Sequence, residues 1–252
     1  MNTSRRRSTD AVAVARDFVL VHGAWHGGWC WSRLAPKLRV AGRRVYCPSL
    51  TGLGDRAHLF GSSVTLATHV EDVVALIEAE ELHDFVLVGH SYGGNVITGV
   101  ADRLRERVAH YVYLDAVVPL PGAATWRWAD FNTPEDRQAR LNQIREHGAG
   151  VALPAPAPQV FGVTDLVDVQ WLRRRLGPMP VGTYVGEIRL SNGGAEGLPR
   201  TYIAADNPPF RPMQPTCARL RADPGWRFLT IDTGHDMMVT APEDLATLLL
   251  AL

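Results

Sequence analysis

Residues 84–100 read DFVLVGHSYGGNVITGV, and the order of residue types in this stretch specifies a strand, a sharp turn and a helix. Phe85 to Val88 is an uninterrupted apolar run, as expected of a strand covered on both faces in a parallel sheet, and from Asn95 onward the pattern suits a helix. Between them stands Gly89-His90-Ser91-Tyr92-Gly93, which fits the spacing G-x-S-x-G. In that arrangement a strained strand-to-helix turn lifts a serine hydroxyl above the carboxyl edge of the sheet, and the flanking glycines let the backbone turn sharply. Gly94 adds room for close packing. The same turn aims the Tyr92 N–H and the start of a helix at the space over Ser91, where a negatively charged oxygen is stabilised. Five residues alone are a weak signal; the strand before and the helix after make Ser91 the expected nucleophile rather than part of a structural turn.

Toward the amino terminus, Phe18–Val21 is the expected first strand and runs directly into His22-Gly23-Ala24-Trp25-His26-Gly27-Gly28-Trp29. The loop after an early strand supplies a second oxyanion donor in such an arrangement, and the Ala24 N–H is the candidate. Trp25 is expected to line the substrate pocket. His22 and His26 are read as loop-shaping, because their spacing lacks the acidic partners and helical phase of a zinc site. A helix is expected from about residue 29 to 40, then a strand at Val45–Cys47 and an amphipathic helix over Thr65–Glu80 with Val70, Val73, Val74 and Ile77 on one face. The glycine-rich loop at 49–58 lacks the spacings that cradle a dinucleotide or a nucleoside phosphate.

Toward the carboxyl terminus, Tyr111–Asp115 is the next strand and ends on an acid. Residues from about 121 to 199 break the alternation, with plausible helices at about 134–147 and 165–175, and read as a cap inserted between sheet strands. Its Trp126 and Trp128 are candidates either for lining the pocket or for holding the cap together. Thr201–Ala204 resumes the sheet and ends at Asp206, Trp226–Ile231 is the last strand, and Thr240–Glu243 resembles a capping box opening a terminal helix. Strand then helix throughout predicts an α/β fold with a mainly parallel central sheet and helices on both faces.

A serine hydroxyl is a poor nucleophile at neutral pH and needs a histidine within hydrogen-bond reach, itself oriented by a carboxylate. Of the nine histidines, His235 is the expected base, since it follows the last strand on a glycine-containing loop at the edge where Ser91 stands. Two acids compete for the third place, Asp115 and Asp206, each ending a strand ahead of His235. Asp232 and Asp236 are too close in sequence to His235 to orient it easily.

The 252 residues suffice for one large core, read as one domain over 17–252 with a flexible tail at 1–16. Lys plus Arg equals Asp plus Glu at 26 each, so no global charge draws the chain to nucleic acid or an anionic membrane, and a small, mostly neutral ligand is expected. No apolar run is long enough to span a bilayer, and a cytoplasmic location is the default. Cys30, Cys47 and Cys217 have no metal-type spacing and cannot all pair; they read as apolar filler in a reducing compartment. No metal and no organic cofactor are expected, and nothing in the sequence indicates an oligomeric state.

The motifs HGAWHGGWCW, GLGDRAH, VGHSYGG, YLDAVVP and DTGHDMM occur in the order of the α/β-hydrolase superfamily. Over about residues 17–252 the chain resembles bacterial carboxylesterase-like proteins related to plant methyl-ester hydrolases and hydroxynitrile lyases. The resemblance implies Ser91 as nucleophile, His235 as base and the N–H groups of Ala24 and Tyr92 as oxyanion hole. It slightly favours Asp115, through YLDA, over Asp206; the acid of the plant enzymes would fall on Pro208, two positions later. The lyases carry a lysine just after the histidine and a hydroxyl near the oxyanion hole, where this chain has Asp236 and Ala24, so lyase activity is disfavoured. Dehalogenases and epoxide hydrolases need a carboxylate in place of Ser91. The implied activity is a serine esterase that cleaves a small or medium, largely apolar carboxylic ester through an acyl-enzyme. A natural-product tailoring enzyme and a non-catalytic ligand receptor are the alternatives on the same scaffold.

Overall fold

The computed structural model describes residues 16–252, so the expected tail at 1–16 lies, but for Arg16, outside the described residues. Six strands, β1 (Phe18–Val21), β2 (Val45–Tyr46), β3 (Phe85–His90), β4 (Val108–Leu114), β9 (Arg200–Ala205) and β10 (Arg227–Ile231), form one sheet in the order β10-β9-β4-β3-β1-β2. Every neighbouring pair in it is parallel. Phe85–Val88 is buried on both faces, which is why its sequence does not alternate. Full burial of each such side chain contributes ~1.5–3 kcal/mol.

Helices α1 (Ala35–Val40), α2 (Leu66–Ala79), α3 (Gly93–Arg103), α7 (Gln214–Arg221), α8 (Met237–Thr240) and α9 (Pro242–Leu250) lie between or after these strands. Thr65 caps α2 by accepting from the Thr68 N–H at 3.3 Å, and Val70, Val73, Val74 and Ile77 are buried as their spacing required. Two local expectations fail. Residues 29–40 are not one helix: a 3-10 turn at Gly28–Trp31 precedes α1, which restarts with Pro36 in its first turn, where a missing N–H costs nothing. Nor does Thr240 cap α9; its hydroxyl is hydrogen-bonded to the Thr233 hydroxyl at 2.6 Å, and α9 opens on Pro242.

Between β4 and β9 the chain builds two small antiparallel pairs, β5 (Thr125–Arg127) with β8 (Glu187–Arg189) and β6 (Ala152–Leu153) with β7 (Met179–Pro180). The same segment carries α4 (Pro134–His147), α5 (Leu166–Arg173) and α6 (Val181–Val185). Among the described residues no helix is long and apolar enough to cross a membrane.

The order in which strands are added reverses at β1, whose partners β2 and β3 lie on opposite sides. Such a switch point opens a crevice at the carboxyl ends of the strands, where ligands bind in open α/β sheets.

Candidate active site

Because β3 lies between β1 and β4, the chain leaving these three strands emerges side by side: His22–Ala24, Ser91 and Asp115. Ser91 and Asp115 both have positive φ, +53° and +40°, a conformation that costs a non-glycine residue ~1–3 kcal/mol. The surroundings impose it. The Ser91 N–H donates to Leu114 O at 3.1 Å, and the Ser91 carbonyl accepts from the Gly94 and Val117 N–H groups at 3.1 and 3.0 Å. The Asp115 N–H donates to Ile203 O at 2.7 Å. The glycines after Ser91 permit the close packing: a Cβ on Gly94 would fall 2.1 Å from Val117 O, and one on Gly93 2.8 Å from Val21 O.

From the far side of the sheet the turn after β10 brings in His235. The Ser91 hydroxyl lies 2.9 Å from His235 Nε2, and His235 Nδ1 lies 2.6 Å from Asp115 Oδ2. One tautomer satisfies both contacts: Nδ1–H donates to the carboxylate, and Nε2 accepts from the hydroxyl. All three side chains are buried, Ser91 least so at 9% exposure. Phe210 stacks on the imidazole with ring centres 4.0 Å apart, and His90 packs against it at 4.6 Å. Burial holds the His90 imidazole well below its ordinary pKa, and its Nε2–H donates to the His235 carbonyl at 3.0 Å.

Asp206, the other acid the sequence offers, does not reach His235. It is exposed, and its N–H donates to Ile231 O at 3.1 Å. Its strand, β9, is separated from β3 by β4. At ~4.8 Å per strand, an acid there starts ~10 Å from the strand that carries the serine.

The Ala24 and Tyr92 N–H groups, the expected oxyanion donors, are free to act: among the described residues neither donates to another protein group. Gly23 lets the first loop approach, since a Cβ there would sit 3.0 Å from Ser91 Cβ. His22 shapes this loop as expected: burial pushes its pKa down to about 3, its Nδ1–H donates to Gly23 O at 2.8 Å and its Nε2 accepts from the Leu50 N–H at 3.0 Å.

His26 departs from the expectation that it lacks an acidic partner. Its Nε2 lies 3.1 Å from Asp236 Oδ2 and its Nδ1 2.7 Å from Ala24 O, with His26 and Asp236 both buried. Desolvation opposes both charges, yet mutual attraction wins, raising the His26 pKa and lowering that of Asp236. The pair ties the loop carrying Ala24 to the residue after His235.

His90, His235 and Asp236 bring ligand atoms within 4.8 Å of one another. The set does not suit a metal ion, because His235 would have to release either Asp115 or Ser91 to bind one. The three cysteines are free; burial raises the thiol of each, to about 11 for Cys47 and Cys217.

A cleft of about 990 Å³ opens beside His235. Trp25 lines it, its indole N–H fixed on Leu153 O at 3.1 Å. The assignment of Trp126 and Trp128 to the pocket is corrected. Trp126 points inward from β5 and donates its indole N–H to Asn95 Oδ1 at 2.7 Å, bracing the elbow helix α3. Trp128 is 4% exposed and wedged edge-on among Trp25, Tyr92 and Tyr184. The walls instead come from Phe161 and Phe210, the prolines at 154, 156, 208 and 209, and Arg140. The proline-rich run at 153–158 was a visible signal for one wall. Phe210 carried none beyond its position after the strand ending at Asp206.

Residues 18–248 match the alpha/beta hydrolase family, and the chain belongs to it. A carbendazim hydrolyzing esterase of Nocardioides sp. (strain SG-4G) is 44% identical over 242 residues, covering 94% of this chain and 99% of that protein. A pheophorbidase of Raphanus sativus is 28% identical over 92% of both chains. Among solved structures, an extracellular alpha/beta-hydrolase from a Paenibacillus species superposes with a TM-score of 0.79 at 27% identity, covering 94% of this chain and 98% of the other. The expected fold and the expected carboxylic-ester hydrolase activity are borne out by these relatives.

Proposed function

We propose that the protein is a serine esterase in which Ser91 attacks the ester carbonyl, His235 takes the serine proton and Asp115 holds the imidazole in the required tautomer. The single observation that carries this reading is the hydrogen-bonded run Ser91–His235–Asp115 beside the cleft, with contacts of 2.9 and 2.6 Å. As the Oγ–C bond forms, negative charge collects on the carbonyl oxygen, facing the N–H groups of Ala24 and Tyr92. Fixed donors at such a position contribute ~3–4 kcal/mol apiece. The proton on His235 passes to the departing alcohol, water is activated by the same imidazole, and the acyl group leaves Ser91 as the acid.

The segment between β4 and β9 acts as a cap that walls the cleft, and its aromatic and proline faces suit a small or medium, largely apolar ester. The relative from Nocardioides, named an esterase and 44% identical to this chain, supports an ester over another acyl compound. A cytoplasmic site of action is part of the proposal, resting on the three unpaired cysteines. Hydrolysis of p-nitrophenyl acetate by the purified protein and by Ser91→Ala tests the reading. Loss of at least 10³-fold in the variant is the expected result, and undiminished turnover refutes it.

A further inference from the structure

Helix α4 is mostly polar, burying only Ile144 fully, yet Arg140 on it is half-buried. Its guanidinium lies over three aromatic rings, 5.4 Å from the Trp128 ring centre, 5.8 Å from Trp25 and 6.0 Å from Tyr184, and it forms part of the wall of the cleft that reaches His235. Only Nε has a protein acceptor, Asn132 Oδ1 at 2.8 Å; among the described residues the two terminal amines have none, and no carboxylate pairs with this arginine. Asp136, one helical turn earlier, acts on it through its charge without forming an ion pair. Arg33, also half-buried, spends its terminal amines on Asp168 and Val239, and Arg105 on three carbonyls; Arg43 and Arg107 each leave a terminal amine without a protein acceptor among the described residues, but neither lines the cleft. Cation–π contact offsets part of the desolvation but gives the terminal N–H groups no acceptor. A guanidinium held over aromatic rings, with two amines that have no protein acceptor in a cleft, is suited to meet oxygen in the plane of its own fork.

We infer that Arg140 is the specificity-determining residue of the cleft, its terminal amines binding an oxygen acceptor, a carbonyl or a carboxylate, on the part of the ester remote from the bond that is cleaved. This deepens the esterase reading and rests on it. The flat walls at Trp25 and Phe161 complement it by holding a planar ring between the acceptor and the reacting carbonyl. The substrate class is then an aromatic ester carrying a carbonyl or carboxylate substituent rather than a plain alkyl ester.

The test compares methyl toluate, methyl acetylbenzoate and monomethyl terephthalate or isophthalate, in meta and para forms, on wild type, Arg140→Met and Arg140→Lys. In wild type at least one acceptor-bearing ester is expected to exceed its toluate counterpart about tenfold or more in kcat/KM. Arg140→Met should bring that ratio near one, mainly through KM; Arg140→Lys should keep part of the preference for the carboxylate and lose that for the acetyl group, because an ammonium cannot form the paired contact. Equal losses on all three esters in Arg140→Met would mean a purely structural arginine and overturn the inference, as would an undiminished preference. A wild type that hydrolyses p-nitrophenyl acetate but none of these esters, or all of them with no preference, overturns the inference alone, whereas one that hydrolyses neither these nor p-nitrophenyl acetate takes the esterase reading with it. A second measurement needs no turnover: titration of terephthalate or isophthalate against tryptophan fluorescence in Ser91→Ala should give a Kd about tenfold weaker once Arg140→Met is added. An unchanged Kd overturns the inference.

Discussion

Replacing Asp115 by asparagine removes one charge and almost no volume from a site where the carboxylate lies 2.6 Å from His235 Nδ1, both side chains being essentially inaccessible to solvent. When His235 takes the proton of Ser91, an imidazolium forms whose charge centre is ~4 Å from the carboxylate. At an effective dielectric constant of ~20 that attraction is ~4 kcal/mol, equivalent to about 10³ in rate. Asparagine also presents an NH₂ group to Nδ1, which favours the tautomer with its proton on Nε2, where it cannot accept from the serine. The two effects together predict a fall in kcat of about 10³–10⁴ with KM changed less than about threefold. Steady-state hydrolysis of p-nitrophenyl acetate reads this directly, with thermal unfolding confirming that the variant is folded. Asp206→Asn, at an exposed position just after the next strand, should stay within about twofold of wild type. A loss under tenfold in Asp115→Asn, or a larger loss in Asp206→Asn, would refute the reasoning.

The His26–Asp236 pair makes a pH-dependent contribution to stability. His26 has a raised pKa, so its share is full below the unfolded value near 6.5 and is lost as pH rises through the folded value. Asp236 has a lowered pKa, so its share is present above the unfolded value near 3.8 and is lost as pH falls through the folded one. Denaturant melts of Asp236→Asn should therefore show a larger deficit against wild type at pH 6 than at pH 9, ~3–5 kcal/mol at the former; an equal deficit at both would contradict the ion pair. Trp126→Phe strands the buried Asn95 oxygen and should cost ~1–3 kcal/mol of stability with KM unchanged, whereas a changed KM would return Trp126 to the pocket. Gly94→Ala places a methyl group 2.1 Å from Val117 O and should destabilise the fold by at least ~1–3 kcal/mol while lowering kcat, because the same backbone carries Ser91; a stable, active variant would show that the elbow tolerates expansion.

The elbow was legible because three independent signals coincide within seventeen residues: a strand too apolar to face water, glycines where two backbones touch, and a helix pattern resuming at Asn95. The choice between Asp115 and Asp206 was not, since both end strands and sequence order does not reveal that β4, and not β9, pairs with β3. Adjacency in a sheet is decided by long-range pairing, to which a local pattern is blind. The His26–Asp236 contact spans 210 positions and escaped for the same reason. Trp126 and Trp128 misled because an aromatic residue in an irregular segment announces burial without direction; only the pairing of β5 with β8 fixes which side Trp126 faces. Arg140 was hidden in a helix dominated by charged and polar residues, whose pattern reads as a solvated surface.

The measurement closest to the core of this account is labelling of the native protein with a fluorophosphonate, followed by peptide mass mapping. A single adduct on Ser91, absent in Ser91→Ala and suppressed in His235→Ala, is the predicted outcome. A native protein left unmodified, or one modified equally well without Ser91, would contradict it.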